Sequence, residues 1–394
     1  MINKEIEINK CVGCGLCEAV FKNNAEIRIN NEGFYRPYFK DKYDIRLLDN
    51  ICPLNSKGEN YSHHIWGKYE GVFLGNSNDV LIRTLGSSGG IITQSLVYLL
   101  DNKIVDAVIH IGASKDNPLE NVTYVNNSTK QVIENAGSRY SPSSPLTQID
   151  KYLKLDMKYA FVGKPCDVRA LRNYAKISKL VNEKILFVFS FFCMGTPSYL
   201  GTHRLVNELG CSKENVADLR YRGNGWPGSA TVVDNKGNSS SMSYSKSWGI
   251  VTGGFLQPYC RWCADGVGEF ADIACGDAWY LDVNMKPTFD EADGRNVIFA
   301  RNLKGQELLN NMNAAGVIEI KDFSSDIKLL KYMNYSQHHR KSTMLGKIIG
   351  LKLLGKEAPS YKLSDLRAWS KETKKYKNIR SLIGTVMRGL KGKF

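Results

Sequence analysis

Cysteine is the residue type whose spacing most clearly indicates chemistry in this chain. The N-terminal set of candidate ligands is Cys11, Cys14, Cys17 and Cys52. Its first three members have the spacing C-x2-C-x2-C, which wraps three corners of a 4Fe-4S cluster. Gly13 and Gly15 allow the tight backbone turns that such a loop needs. The sequence therefore predicts one 4Fe-4S cluster bound by this set.

The N-terminal set has the pattern of a two-cluster ferredoxin that kept one cluster. In such proteins the last cysteine of each run, followed by Pro, ligates the other cluster. Phe21 stands at the fourth position of the first run, and a second run would need cysteines where Lys42, Ile45 and Leu48 stand. All four ligands of one cluster are thus missing together, and all four of the other remain. A structural zinc site held by the same four thiolates is the alternative.

A second set of cysteines is dispersed along the chain. Cys260 and Cys263 form a C-x2-C pair, a spacing that suits zinc and iron–sulfur clusters alike. Cys166 and Cys193 each follow a strand-like run, and α/β sheets form ligand sites at the carboxyl ends of their strands. Spacing alone leaves open whether these two are ligands or small buried apolar residues. The two cysteines predicted to serve only in packing are Cys211 and Cys275.

A segment rich in serine and glycine directly precedes an apolar helical pattern. Its residues are Ser87, Ser88, Gly89 and Gly90. Free N–H groups at the start of a helix bind anions, so the segment predicts a cradle for a phosphate group. A helix start capped by serine, with nothing bound, is the alternative. The cationic side chains predicted to accompany a phosphate are Arg83, Arg139 and Lys164.

Strand and helix patterns alternate around these residues. Residues 25–39 predict a hairpin that turns at 30–33, and residues 45–48 predict a short helix before Cys52. The runs predicted as strands are 80–85, 103–112, 159–163 and 185–192, the run 91–100 is predicted as a buried helix, and residues 234–245 as a hairpin tip or surface loop. Such alternation favours an α/β body with a mostly parallel or mixed sheet.

Positive charge is concentrated near the C-terminal end. Residues 340–394 carry 15 Lys+Arg and 3 Asp+Glu, a net of +12 out of +14 for the whole chain. The nearly neutral remainder argues against a nucleic-acid-binding core. Apolar residues at helical spacing in 363–394, with Ser364 as a cap, predict an amphipathic helix. Such a helix suits an anionic membrane surface, the protein's own body or a partner.

Length and composition limit which class of protein this chain can belong to. The chain has 394 residues, 43% hydrophobic and 23% charged, as expected for a globular protein of two or three domains. Apolar runs are too short for a membrane span, and the first ten residues carry no secretory signal pattern. The predicted fold class is α+β or α/β, with a ferredoxin-like module (1–60), a mixed-sheet body in two parts (61–155 and 156–330) and a basic helical tail (331–394).

Several short motifs, taken in order, resemble the coenzyme F-420 hydrogenase/dehydrogenase beta-subunit family. The form that they resemble carries an N-terminal ferredoxin module and belongs to bacterial surface-polysaccharide pathways. The motifs are Arg83 with 86–90 (GSSGG), 137–140 (GSRY), 161–166 (FVGKPC), 192–195 (FCMG), 221–228 (YRGNGWPG), 260–263 (CRWC), 271–273 (ADI) and 276–279 (GDAW). Arg139 departs from the lysine expected there, which keeps the charge but changes the donor geometry.

The resemblance implies an iron–sulfur flavoprotein oxidoreductase. FAD in such proteins exchanges a hydride with a substrate or a deazaflavin and passes single electrons to 4Fe-4S clusters. The second cluster that the resemblance implies would be bound by Cys166, Cys193, Cys260 and Cys263. The FAD contacts would be Arg83, Ser87, Ser88, Gly89, Gly90, Arg139, Tyr140 and Lys164. No catalytic acid or base is assigned. Asp277 is interpreted as a structural loop carboxylate, with a flavin contact as the alternative.

The expected substrate is a small molecule or a sugar-linked intermediate. The expected partner is ferredoxin or another oxidoreductase, without specific nucleic-acid binding. The protein is expected in the cytoplasm, with peripheral contact to the inner membrane face through the basic tail. Two alternatives remain: a non-catalytic subunit that relays electrons to a partner enzyme, and a zinc-stabilised interaction protein without a redox role.

Overall fold

The structure is a computed structural model that describes residues 11–54 and 61–392. The strands are β1 Ala25–Ile29, β2 Tyr35–Phe39, β3 Gly71–Ser77, β4 Ala107–Ala113, β5 Asn121–Asn126, β6 Tyr159–Gly163, β7 Ile185–Phe191, β8 Val216–Arg220, β9 Ser229–Asp234, β10 Ser239–Ser243, β11 Ile273–Asp277, β12 Asn296–Ala300 and β13 Ile318–Asp322. The prediction that no signal segment precedes the body concerns the first ten residues and lies outside the described ranges.

Helices occupy most of the connections and the C-terminal region. They are α1 Leu16–Phe21, α2 Ile45–Ile51, α3 Val80–Leu85, α4 Ile91–Asp101, α5 Thr129–Glu134, α6 Ile149–Leu153, α7 Pro165–Tyr174, α8 Lys179–Lys184, α9 Tyr199–Glu208, α10 Tyr244–Lys246, α11 Leu303–Ala314, α12 Leu330–Met333, α13 Tyr335–Ser342, α14 Met344–Leu353, α15 Leu363–Ser370 and α16 Lys375–Leu390. No helix within the described ranges is both long and apolar enough to cross a bilayer.

A mixed eight-stranded sheet forms the body. Its strand order is β13-β3-β12-β11-β7-β6-β4-β5. The central strands β11, β7, β6 and β4 run parallel, whereas the strands on either side pair antiparallel. Apolar side chains on both faces are buried, among them Phe161 and Phe189, as expected for parallel strands covered by helices. The predicted mixed-sheet α/β body is confirmed.

The small N-terminal unit contains a hairpin and a short helix, as predicted. Strands β1 and β2 pair antiparallel, with Ala25 opposite Phe39. Asn30 stabilises the turn between them because its side chain accepts a hydrogen bond of 2.9 Å from the backbone N–H of Phe34. Helix α2 begins after Asp44, whose carboxylate caps it, and ends directly before Cys52.

The prediction of a strand at 80–85 is wrong, because this segment is helix α3. Asp79 accepts a hydrogen bond of 3.0 Å from the N–H of Ile82 and so caps the start of the helix. The strand of this region is β3, which lies just before it. Of residues 234–245, only 235–238 form a hairpin tip, between strands β9 and β10, which pair antiparallel in a three-stranded sheet with β8. Residues 239–243 are β10 itself and 244–245 begin α10, so the predicted tip or loop is too long.

The part of the basic tail predicted as one amphipathic helix (363–394) contains two helices among its described residues, α15 and α16. Ser364 lies within the first turn of α15, and Lys362 precedes the helix, so the predicted serine cap is wrong. Trp369 of α15 is fully buried, and its indole N–H donates a hydrogen bond of 2.8 Å to the carbonyl of Ser62. The tail is therefore docked on the protein's own body.

Candidate functional site

The N-terminal cysteines share one site. Burial raises the pKa of the Cys14 thiol well above its usual value, and the nearby Cys17 and Cys11 raise it further. Burial likewise raises the pKa of Cys17, with added repulsion from Cys11 and Cys52. The structure thus brings all four predicted ligands together, and neutral thiols at such a site lose their protons when a metal binds.

Glycines set the path of the loop that carries these cysteines. Gly13 adopts φ 72° and its N–H donates to the Cys11 sulfur at 3.3 Å. Gly15 adopts φ 86°, and a Cβ there would lie 2.6 Å from the Thr147 side chain. The Ser144 hydroxyl donates a hydrogen bond of 2.7 Å to the Gly13 carbonyl. The loop is therefore fixed directly against the body of the protein.

The dispersed cysteines also converge. Cys166 lies in the first turn of α7, just after β6, and Cys193 follows β7. Together with Cys260 and Cys263 they line one small cavity. Burial raises the pKa of Cys260 to about 12 and that of Cys263 to about 11, and proximity to Cys193 contributes to both. The predicted convergence of the second set is present in the structure.

Both sites offer four thiols as their donor set. That set fits a 4Fe-4S cluster, in which each of four irons takes one cysteine thiolate. Within residues 11–54 and 61–392, no three His, Cys, Asp or Glu side chains are arranged to hold a single metal ion.

Arg36 lies near one cysteine of each set, Cys11 and Cys260. It is buried, and its Nη1 donates hydrogen bonds to the Tyr35 carbonyl at 2.8 Å and to Gln257 Oε1 at 3.0 Å. Its Nε and Nη2 find no hydrogen-bond partner among the described residues. Burial lowers the pKa of Arg36, and the proximity of Cys11 and Cys260 opposes that shift. A positive charge with two unused donors thus lies near both sets.

A larger cavity of about 860 Å³ opens at the carboxyl ends of the parallel strands. Lys164 follows β6, Cys193 follows β7 and Asp277 ends β11, and all three residues line it. Cys193 also lines the small cavity of the second cysteine set. The two cavities are therefore neighbours that share a wall.

Most of the predicted FAD contacts line the large cavity, namely Ser87, Ser88, Gly90, Arg139, Tyr140 and Lys164. Arg83 and Gly89 lie outside its lining. The Arg83 Nε donates a hydrogen bond of 2.8 Å to the Gly294 carbonyl, and a Cβ at Gly89 would lie 2.8 Å from the backbone nitrogen of Asn296. These two residues hold the serine-glycine segment against a neighbouring loop.

The serine-glycine segment is not a serine-capped helix start. Gly90, at φ 76°, precedes α4 and has no side chain to cap it, and the first N–H of the helix, that of Ile91, donates instead to Asn296 Oδ1 at 3.3 Å. The Ser87 hydroxyl accepts a hydrogen bond of 2.6 Å from the N–H of Ser138, and the Ser88 hydroxyl donates to the Arg295 carbonyl at 2.8 Å. The two hydroxyls therefore fix the wall of the cavity.

The predicted cationic side chains have partners within the protein. Arg139 donates to four oxygens, belonging to Asn121, Leu219, Pro118 and Glu120. The Lys164 ammonium lies 2.8 Å from an Asp167 carboxylate oxygen and donates to Ser143 Oγ at 2.7 Å. Burial alone would lower the pKa of Lys164, but the attraction of Asp167 outweighs it and raises that pKa.

Sequence reasoning missed an aromatic wall organised by a buried ion pair. Arg222 donates two hydrogen bonds of 2.9 Å to the Asp277 carboxylate, and its guanidinium stacks over Tyr244 at 4.4 Å. Trp226 donates from its indole to the same carboxylate at 2.9 Å and stacks on Trp279 at 4.7 Å. Asp277 thus anchors the aromatic wall and also lines the large cavity. The motifs at 221–228 and 276–279 contain Arg222, Trp226, Asp277 and Trp279, but only the fold pairs them and brings Tyr244 beside them.

Two family models match this chain, and both describe the beta subunit of coenzyme F420 hydrogenase/dehydrogenase. The model of the N-terminal part of that subunit matches residues 72–150, and the model of its C-terminal part matches residues 156–326. The chain belongs to this family. The matched ranges contain the large cavity's serine-glycine segment and the whole second cysteine set, and they leave the N-terminal set outside.

Several relatives are named as redox enzymes or as subunits of redox enzymes. The coenzyme F420 hydrogenase subunit beta of Methanococcus voltae is 27% identical over 271 residues, which is 67% of this chain and 88% of the relative. The coenzyme F420-dependent sulfite reductase of Methanocaldococcus jannaschii is 23% identical over 361 residues, 86% of this chain and 52% of the relative. These relationships support an oxidoreductase role.

A solved structure supports the fold. A chain from the F420-reducing NiFe hydrogenase complex of Methanosarcina barkeri superposes with a TM-score of 0.55 at 24% sequence identity. The superposition covers 73% of this chain and 96% of the other.

Proposed function

We propose that this protein is an iron–sulfur flavoprotein oxidoreductase that passes electrons between two 4Fe-4S clusters and FAD. The observation that carries the proposal is the contiguity of three sites. Arg36 lies near Cys11 of one set and Cys260 of the other, and Cys193 lines both the second set's cavity and the large cavity. Three redox groups side by side form a continuous path for electrons.

FAD, when bound, converts between the two-electron chemistry of a hydride and the single electrons that clusters carry. The large cavity fits such a group because about 860 Å³ lies near the upper end of small-molecule sites, roughly 300–1,000 Å³. The residues that would hold it are Ser87, Ser88, Gly90, Arg139, Tyr140 and Lys164, with Arg83 and Gly89 supporting the wall.

The chain's own residues position a bound group in the large cavity and exclude water from it. The Arg222–Asp277 pair fixes the aromatic wall, and Tyr244 and Trp279 cover that side of the cavity with apolar surface. His110 also lines the cavity, and burial lowers its pKa to about 4, so it is neutral near pH 7. None of these groups needs to move a proton when a hydride is exchanged.

The proposed substrate is a small molecule that exchanges a hydride at the large cavity. The names of these relatives connect them with coenzyme F420, and that deazaflavin is one candidate beside a sugar-linked intermediate. We place the protein in a reducing compartment, the cytoplasm, where thiols remain available as ligands. Its proposed electron partner is ferredoxin or another oxidoreductase.

A non-catalytic relay subunit is the second candidate. The observation that favours it is the naming of several relatives as beta subunits of larger enzymes. Under this proposal the large cavity holds a flavin that only passes electrons to a catalytic partner.

Anaerobic purification followed by a visible spectrum and assays of iron, sulfide, zinc and flavin tests both candidates. We expect a brown protein containing FAD together with iron and sulfide in equal amounts. Zinc in place of iron would overturn both proposals and leave the zinc-stabilised interaction protein. Flavin that bleaches with a small hydride donor favours the enzyme, and flavin that bleaches only through a protein partner favours the relay.

A further inference from the structure

Helix α16 exposes a stripe of large apolar side chains. Tyr376, Ile379, Ile383, Met387 and Leu390 have exposed fractions of 56%, 58%, 51%, 53% and 76%. Their spacings of three and four residues place them on one face of the helix. We call this set the apolar stripe. Within the described residues nothing covers it.

The opposite face of α16 anchors the helix to the body. Thr385 is fully buried, and a Cβ at Gly350 of α14 would lie 3.0 Å from its Cβ. The Gly346 N–H donates a hydrogen bond of 3.1 Å to the Asn378 side chain. Glycines on α14 thus let the two helices approach closely, and the stripe faces outward from a helix that is already held in place.

Positive charge accompanies the stripe. Residues 373–394 contain seven Lys+Arg and no Asp or Glu. On the helical wheel, Arg380 and Lys391 flank one side of the stripe and Lys375 the other, and all three are exposed. Two copies of such a surface would repel each other. An anionic surface complements both the charge and the apolar face.

We propose that α16 binds an anionic lipid membrane, lying in the plane of its surface. The apolar stripe would enter the boundary between headgroups and acyl chains, and the flanking lysines and arginines would contact lipid phosphates. The helix has 16 residues, a length of about 24 Å along the surface. This inference does not depend on the proposed redox function, because neither cysteine set nor the large cavity contributes to it.

Flotation of the full-length protein with lipid vesicles tests the inference. We expect binding to vesicles that contain phosphatidylglycerol, weaker binding at high salt, and little binding to vesicles of pure phosphatidylcholine. Ile383→Glu places a negative charge in the centre of the stripe and should reduce binding by about tenfold or more. Val283→Glu is the matched control, since Val283 is a fully exposed apolar residue outside α16.

The thermal midpoint of Ile383→Glu checks that the variant folds, and we expect it to match the wild-type protein because the position is exposed. Equal binding to both vesicle types, absence of binding, or unchanged binding of Ile383→Glu would each overturn the inference. A dimer that Ile383→Glu dissociates, in a protein that does not bind phosphatidylglycerol, would overturn it in favour of a second copy.

Discussion

Replacement of Cys263 by serine gives a quantitative test of the second cluster. The Cys263 sulfur lines the small cavity, close to Cys193. A serine hydroxyl stays protonated near neutral pH and does not replace the thiolate as a ligand. Two 4Fe-4S clusters hold about eight iron ions per chain, so loss of one should leave about four. Iron and acid-labile sulfide, assayed on protein purified without oxygen, measure the change.

Two further serine variants make the result specific. Cys14→Ser should remove the other half of the iron, because Cys14 belongs to the N-terminal set. Cys211→Ser should leave the iron unchanged, since its sulfur donates to the Ser212 carbonyl at 3.4 Å and lines neither cavity. If Cys263→Ser keeps the full iron content while Cys14→Ser loses all of it, the assignment of a second cluster is wrong.

Three other variants probe the charge and packing around these sites. Arg36→Gln removes the positive charge near both cysteine sets, so we expect lower midpoint potentials of the clusters. A redox titration followed by electron paramagnetic resonance measures these potentials, and unchanged values would refute this role of Arg36. Asp277→Asn leaves the Arg222 charge buried without its counter-ion and should reduce the free energy of unfolding by about 3 kcal/mol, measured by denaturant titration. Trp369→Ala should reduce the free energy of unfolding by about 3–5 kcal/mol in the same titration. Tyr376→Ala, on the exposed apolar stripe, should reduce it little, and equal reductions would contradict the docking of α15.

Local sequence patterns predicted those elements whose signal is contained in a few neighbouring residues. The apolar runs that became β6 and β7 are buried on both faces, and the asparagine-glycine turn of the first hairpin carries its own hydrogen bonds. The segment 80–85 was harder to assign, since its branched apolar residues suit a strand equally well. The Asp79 carboxylate stabilises a helix start because it accepts a hydrogen bond from the N–H of Ile82. Val80 and Leu81 remain exposed on that helix.

The candidate site was predictable where the chemistry of one residue type sufficed. Thiol spacing indicated the N-terminal set, and the ends of two strands indicated Cys166 and Cys193. The partners of charged residues depended on contacts that span the chain. Arg139 bonds to carbonyls on two other segments, and Arg222 pairs with a carboxylate 55 positions away. Neither pairing has a local signature, so the sequence marked Arg139 as a free cation and overlooked the Arg222 pair.

The way the N-terminal unit is attached bears on how electrons would move. Its cysteine loop is hydrogen-bonded to the body through Ser144, and the hydrogen bond from Arg36 to Gln257 crosses to the loop that carries Cys260. Both contacts fix the distance between the two cysteine sets. A cluster on a freely moving domain would have to search for its partner, whereas clusters bound at the two proposed sites would keep one transfer distance. The proposed order of transfer therefore follows from packing: from the N-terminal set to the second set, and through the shared wall at Cys193 to the large cavity, or in reverse.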